Sequence, residues 1–475
     1  MSRQFALETE EHAKHSRDNM QQEGELTAMI EDWTFAHLKR EETLWGPHGY
    51  HRYPAKFIPQ LVHRIIEAYS APNELVGDPF LGSATTGIEA LRLGRRFWGS
   101  DISQVALLIS RAKCIPFSPC ALEKLWQKLD KQLDVVPQVG RRYLTAEEIE
   151  AITSINIASA TAEERFTYWF PEQYRLSLER ILQHILEHTE GEERTFFLCG
   201  FSNILRRCSI WLSGSTKSQK DLGKMLGEPL DEFRRQIRAM IKRNSSYWQD
   251  LADHEMDPAG VIHRCCIRRE DARQLTLPGA TLDLLVTSPP YAICYEYKEI
   301  HQLTQLWFER YGLLSAGDER EVWIGSKGVA HRPLPTDRTG STVADAALAA
   351  LSLLAVDKVA PDVRREVRAL RYYFQDMWMA LHELARVTVP GKHLILIIGD
   401  SYRRGITIPT SAALCEIAVE SGFELERKIV RQIPMRTLVS TRDKKSGRFS
   451  SLAQSDTQVY PEEYVLVFRR LSYIS

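Results

Sequence analysis

Forty residues near the N-terminal quarter limit the fold more than any other part of this chain. Glu74–Phe80 (ELVGDPF) is an apolar run of strand length, and Thr86–Leu93 behind it has helical spacing closed by Gly94 at the C-cap. Arg96–Asp101 (RFWGSD) repeats the strand and Val105–Lys113 repeats the helix. Strand, helix, strand, helix at this spacing predicts a parallel α/β sheet, because parallel neighbours need a crossover between them. An amphipathic helix over Phe57–Tyr69, stopped at Ser70-Ala71-Pro72-Asn73, precedes the pattern.

The rhythm then breaks. From Pro116 to Pro258 the periodicity is helical (SLERILQHILEHTE, DEFRRQIRAMIKR), which predicts an inserted helical domain over 116–258. Strands resume at Val261–Ile267 and Leu282–Thr287 (LDLLVT), and a second, smaller insertion covers about 309–363. Helix Arg371–Val387, strand His393–Gly399, helix Thr410–Ser421 and strands Phe423–Gln432 and Glu463–Phe468 restore the alternation. Seven strands result, flanked by an N-terminal arm (1–45), with the α/β domain in two parts, 46–115 and 259–475. A chain of 475 residues accommodates such a domain with insertions.

Composition excludes more than it suggests. Apolar residues at 44% fit a globular chain with a substantial core, and a net charge of -1 means that any nucleic-acid surface must be a local patch. Cys114, Cys120, Cys199, Cys208, Cys265, Cys266, Cys294 and Cys415 form no CxxC pair, so reduced thiols are expected rather than a zinc site or disulfide framework. His48 and His51 read as packed loop imidazoles, and no metal is expected. The N-terminus MSRQFALETEEHAKH lacks a signal-peptide core, and no apolar run reaches membrane-spanning length, so a soluble cytoplasmic protein is expected.

Two motifs carry chemistry, and each ends a predicted strand. In an open α/β sheet ligands bind beyond the carboxyl ends of strands, so both face one crevice. The first is Asp78-Pro79-Phe80-Leu81-Gly82-Ser83-Ala84-Thr85-Thr86. Gly82 lets a ligand approach the backbone, and Thr86-Gly87-Ile88-Glu89 reads as a capping box that sets a helix N-terminus suited to a carboxylate. Asp101, 19 residues after Gly82, stands where a carboxylate can accept hydrogen bonds from ribose hydroxyls. The second is Thr287-Ser288-Pro289-Pro290-Tyr291. Its consecutive prolines stiffen the turn, holding the Ser288 hydroxyl and the Pro289 carbonyl as acceptors for an amino group, with the Tyr291 ring as a face on which an extruded base can stack.

On these residues the sequence resembles the amino-methylating DNA methyltransferases. His51-Arg52-Tyr53-Pro54-Ala55-Lys56-Phe57 resembles their motif X, DPFLGSATT motif I, Gly99-Ser100-Asp101-Ile102 motif II, Glu270-Asp271-Ala272-Arg273 motif III and TSPPY motif IV. The resemblance covers about 50–115 and 260–470. It implies a class I S-adenosylmethionine-dependent methyltransferase, a Rossmann-like, seven-stranded, mostly parallel sheet with the helical domain inserted. It implies S-adenosyl-L-methionine as cofactor, held by Tyr53, Lys56, Phe57, Asp78, Phe80, Gly82, Ser83, Thr85, Thr86, Asp101, Ile102 and Asp271, with Ser288, Pro289, Pro290 and Tyr291 catalytic. The Ser form of motif IV implies methylation at cytosine N4. Double-stranded DNA is the implied partner, with a restriction endonuclease or other defence-system component beside it. Ala84 departs from the family's usual Gly, which bears on loop geometry; the motif order X, I, II, III, IV is unpermuted.

Two stretches are locally basic. Arg206–Arg243 holds ten Lys/Arg against four Asp/Glu, and Arg431–Arg448 holds six against Asp443. Phosphate contact is expected from both stretches, in the second from Arg436, Lys444, Lys445 and Arg448, and Tyr297 is a candidate to flank a flipped base. Adenine-N6 methylation, RNA amino-methylation and a non-catalytic nucleic-acid-binding scaffold remain alternatives at this level.

Overall fold

The computed structural model describes residues 33–53, 56–213, 215, 218–292, 297–315, 323–329, 332–333, 335–336, 338–356, 359–433, 441–442, 449–450 and 462–472. One sheet contains β1 Leu75–Asp78, β2 Arg96–Ser100, β3 Cys265–Arg268, β4 Leu282–Thr287, β5 Thr388–Ile398, β6 Phe423–Gln432 and β7 Glu462–Arg470. Its order is β3-β2-β1-β4-β5-β7-β6, with β7 alone antiparallel to its neighbours. The expected seven-stranded, mostly parallel sheet is thus present. The strand order reverses direction between β1 and β4, which opens a crevice at their carboxyl ends. β1 and β4 are buried on both faces, the physical reason that LVGD and LDLLVT read as unbroken runs rather than alternations.

Eight helices position the parts of interest here: α1 Pro59–Tyr69, α2 Thr85–Arg92, α3 Gln104–Cys114, α4 Gly191–Ile204, α5 Pro229–Asp253, α6 Gln302–Arg310, α7 Ala360–Val387 and α8 Thr410–Glu420. α1 starts at Pro59 and buries Leu61, Val62, Ile65 and Ile66, one apolar stripe at three-and-four spacing. Gly94, at φ 73, follows α2 in the left-handed conformation expected of its position.

The helical insertion is packed into the body. Helices Pro119–Gln132, Ala146–Ser154, Ala162–Trp169 and Glu172–His188 join α4 and α5 in one apolar core with Tyr50, with Val105 and Ile109 of α3, and with Leu303, Trp307 and Phe308 of α6. Phe166, Phe170 and Phe201 meet the Trp307 ring edge-on at 5.2, 5.5 and 5.5 Å. The strand–helix layers form two further cores, one on each face of the sheet.

Several boundaries differ from expectation. α7 begins eleven residues before Arg371, because Pro361 suits a helix's first turn and Val363, Ala369 and Leu370 continue its buried stripe. β5 begins at Thr388; Gly391 at φ 82 and a register shift between Leu282 and Leu284 absorb the extra residues as a bulge. β3 is shortened to four residues, with Ala259–Arg264 in a tight turn before it. Thr86 does not cap α2. The helix starts at Thr85, the N-cap is Ala84 at φ 59 without a side-chain bond, and Thr86 Oγ1 donates to the Val286 carbonyl (3.1 Å).

Candidate active site

The carboxyl ends of β1, β2, β3 and β4 open into one cleft of about 890 Å³, open to solvent. Of the twelve residues that resemblance assigns to the cofactor, eleven line it: Tyr53, Lys56, Phe57, Asp78, Phe80, Gly82, Ser83, Thr85, Asp101, Ile102 and Asp271. Thr86 does not, since its hydroxyl is turned into the buried α2–β4 contact. Ser288 and Pro290 stand on the same cleft's other side.

Backbone geometry builds the β1 loop. Gly82 (φ 51) and Ala84 (φ 59) both adopt left-handed conformations, and a Cβ on Gly82 would lie 3.3 Å from the Tyr53 ring. The Asp101 carboxylate fixes this loop by accepting hydrogen bonds from Gly82 N (2.9 Å) and Ser103 N (2.8 Å). Ser110 Oγ donates to the Gly82 carbonyl (3.0 Å). Ser83 is buried, and its Oγ has no hydrogen-bond partner among the described residues.

A second bond joins the two strand-end motifs directly. Thr287 Oγ1 donates to Asp78 Oδ1 at 2.6 Å, and Phe80 N donates to the same oxygen at 3.1 Å. Burial pushes Asp78 up to about 6 against the pull of these donors. Asp101 is likewise pushed up to about 6, its desolvation outweighing the bonds from Ser103 and Gly82.

The segment before α1 is held by polar bonds into the helical insertion. His51 Nε2 pairs with Ser202 Oγ (2.9 Å), which pairs with Thr304 Oγ1 of α6 (2.7 Å). Arg52 N donates to Asn203 Oδ1 (3.0 Å), and the Tyr53 ring packs on His301 with centroids 4.9 Å apart. Lys56 Nζ donates to the His48 carbonyl (2.9 Å), so its ammonium ties down the loop beside the cleft. Asp271 is gripped by Arg273 through the Nε (3.0 and 3.1 Å) and Nη2 (2.5 Å).

The β4 turn is braced from beyond it. Tyr291 Oη donates to Glu463 Oε1 (2.6 Å), whose other oxygen takes Arg431 Nη1 (2.6 Å), and Arg431 Nε donates to the Trp33 carbonyl (3.1 Å). The Tyr291 ring edge also faces Gly399, where a Cβ would stand 3.1 Å away. Pro289 is buried, while Ser288, Pro290 and Tyr291 are half-buried.

The nucleic-acid candidates fare differently. Arg436, Lys444, Lys445 and Arg448, and the side chain of Tyr297, lie outside the described residues. In the first basic stretch, Arg206 donates to the Ile300 carbonyl (2.7 Å), Lys224 to the carbonyls of Ser209 (2.8 Å) and Trp211 (2.7 Å), and Arg234 to Asp130 and Asp134 (both 2.6 Å). These three cations are consumed by internal bonds, an outcome that charge counting along a sequence does not reveal. Sequence reasoning also missed Trp323 and Ile324, which line the cleft from the second insertion; their segment has no regular periodicity to mark them. Elsewhere, His184, Glu187 and His188 on one helix bring ligand atoms within 4.8 Å of one another. No helix among the described residues is long and apolar enough to cross a membrane.

Residues 3–111 match the N6/N4 amino-methylase family model, described as DNA methylase. The chain is similar to the type II methyltransferase M.MvaI of Kocuria varians, at 24% identity over 88% of this chain and 91% of the relative. It is also similar to the type II methyltransferase M2.DpnII of Streptococcus pneumoniae, at 34% identity over 23% of this chain and 40% of the relative. A solved DNA modification methylase of Thermus thermophilus, complexed with S-adenosyl-L-methionine, aligns with 43% of this chain and 55% of its own, at 16% identity and a TM-score of 0.19.

Proposed function

We propose that this chain, a member of the amino-methylating DNA methyltransferases, transfers a methyl group from S-adenosyl-L-methionine to the exocyclic N4 amino group of cytosine in double-stranded DNA. The observation that carries the reading is the meeting of two strand ends in one cleft. The Asp78 loop and the Ser288-Pro289-Pro290-Tyr291 turn are joined by the 2.6 Å Thr287–Asp78 bond.

The residues fit the cofactor. Ser83 Oγ is buried without a partner among the described residues, Gly82 keeps the loop backbone free of a Cβ that would stand 3.3 Å from the Tyr53 ring, and Asp101 keeps acceptor capacity toward the cleft beyond its two amide bonds. When bound, the cofactor supplies an electrophilic methyl on a sulfonium. The chain's part is orientation: Ser288 Oγ and the Pro289 carbonyl accept hydrogen bonds from the amino group, aiming its lone pair into the cleft. The bracing of Tyr291 by Glu463 leaves its ring as a fixed face for a flipped base. A serine rather than an acidic or amide side chain at position 288 supports cytosine over adenine. Arg436, Lys444, Lys445 and Arg448 would contact phosphates, and the relatives' type II designation supports a restriction-modification setting with a partner endonuclease.

Nucleoside mass spectrometry of unmethylated plasmid DNA incubated with the protein and S-adenosylmethionine tests this. N4-methylcytosine is expected with the native chain. With Ser288→Ala the rate is expected to fall by roughly two orders of magnitude, the scale of losing one positioned polar group. N6-methyladenine would overturn the base assignment; no methylated nucleoside in DNA but methylation of RNA would overturn the substrate.

A further inference from the structure

One wall of the cleft comes from neither strand-end motif. Trp323 and Ile324 of the second insertion line it beside Phe80, Asp271, Ala272 and Pro290. The turn that carries them is seated on the catalytic turn: Gly325 has φ +81, and a Cβ there would stand 3.3 Å from Pro290 Cβ and 3.6 Å from the Tyr291 carbonyl.

A buried carboxylate holds this wall in register with the opposite side. Asp376 of α7 is 1% exposed. It accepts Nη1 and Nη2 of Arg332 (2.8 and 2.9 Å) and Nη1 of Arg273 (2.8 Å). Arg273 in turn grips Asp271, and the Arg332 guanidinium lies 3.8 Å from the centre of the Tyr372 ring. Two planar guanidinium groups on one carboxylate fix angles as well as distances. The cleft lining thus combines the apolar Phe80, Ala272, Pro290, Trp323 and Ile324 with the carboxylates of Glu270 and Asp271, a composition that accepts a flat, nitrogen-bearing ring.

Resting on the methyltransferase reading above, we propose that Trp323 is the stacking wall for the purine of the cofactor's adenosine. Asp376 is a positioning residue that acts through Arg332 and Arg273.

The test is S-adenosylhomocysteine binding to the full chain, measured by calorimetry and by tryptophan fluorescence, without DNA. Trp323→Ala is expected to weaken binding roughly tenfold, and Trp323→Phe, which keeps an aromatic face, to stay within about threefold. Trp323→Phe should also remove most of the fluorescence change on binding. Asp376→Asn should weaken binding and shift the emission assigned to Trp323, read as the difference between D376N and D376N/W323F spectra. Arg332→Lys gives the same readout should D376N not fold. Native-like binding by Trp323→Ala, or an effect confined to reactions with DNA, would overturn the inference while leaving the function intact. Failure of the native chain to bind S-adenosylhomocysteine would overturn the function and this inference together.

Discussion

Ala84 shows how a single residue sets the β1 loop. Its left-handed conformation costs an alanine about 1 kcal/mol relative to glycine, but its methyl is fully buried. Ala84→Gly therefore trades relieved strain against lost burial and greater unfolded-chain freedom, and stability should stay within about 1 kcal/mol of native. Ala84→Val should lose about 2 kcal/mol or more, since a β-branched side chain fits neither the backbone nor the packed site. Urea denaturation of both variants checks the pair. Asp101 gives a pH signature at the same scale. With its carboxyl pushed up to about 6, lowering the pH through that value neutralises the acceptor facing the cleft. Cofactor affinity is expected to be flat above about pH 7 and to fall below 6, and Asp101→Asn to be weak and pH-independent there; titration calorimetry across the range decides it.

Among elements, α2 and α6 carry the most consequence. Glu89 faces inward from α2, bonding His48 Nε2 (2.7 Å), His63 Nδ1 (2.9 Å) and Arg92 Nη1 (2.7 Å), while Arg92 takes Asp250 of α5 with two bonds of 2.8 Å. A buried polar cluster thus joins the N-terminal loop, α1, α2 and the helical insertion, and removing Glu89 takes a partner from His48, His63 and Arg92 at once. α6 follows the Ser288-Pro289-Pro290-Tyr291 turn yet buries Trp307 in the insertion's core. Trp307→Ala should cost about 3–5 kcal/mol, as a cavity in a closely packed aromatic cluster does. Because the core is shared, denaturant unfolding should remain one transition by fluorescence and by circular dichroism alike. Two separated transitions would show the insertion to be an independent unit.

At the scale of the molecule, buried imidazoles govern the response to acid. Burial drives His48 down to about 4, His301 down to about 3, and His51 well below its usual range. Folded values below the unfolded one of about 6.5 mean that the unfolded chain takes up more protons. Their contribution is complete above about pH 6.5 and is lost as the pH falls toward 4 for His48 and toward 3 for His301. Asp78 and Asp101 act in the opposite sense: raised to about 6, they favour the fold below about pH 4 and lose that contribution as the pH rises through 6. With three imidazoles against two carboxyls, the melting temperature is expected to drop between pH 7 and 5. A flat or rising profile in thermal melts would refute this account.

Local patterns determined the sheet and the two strand-end motifs, because strand and helix periods and a turn's backbone demands are written in neighbouring residues, while the assignment of eleven cleft-lining residues to the cofactor came from the family resemblance. What neighbours could not specify was decided by tertiary packing. Thr86 and Glu89 look like a capping box, yet α2 starts one residue earlier, so their polar groups bond β4, the N-terminal loop and α1. Arg206, Lys224 and Arg234 look like a phosphate-binding run, yet each finds partners that are distant in sequence or hidden in a turn. Asp376 carries no local signal, since the guanidinium groups it accepts from, Arg332 and Arg273, stand 44 and 103 residues away. A short-range code can state which residues form a strand or a turn. Only the folded chain states which charges remain for a ligand, because that depends on what else is buried beside them.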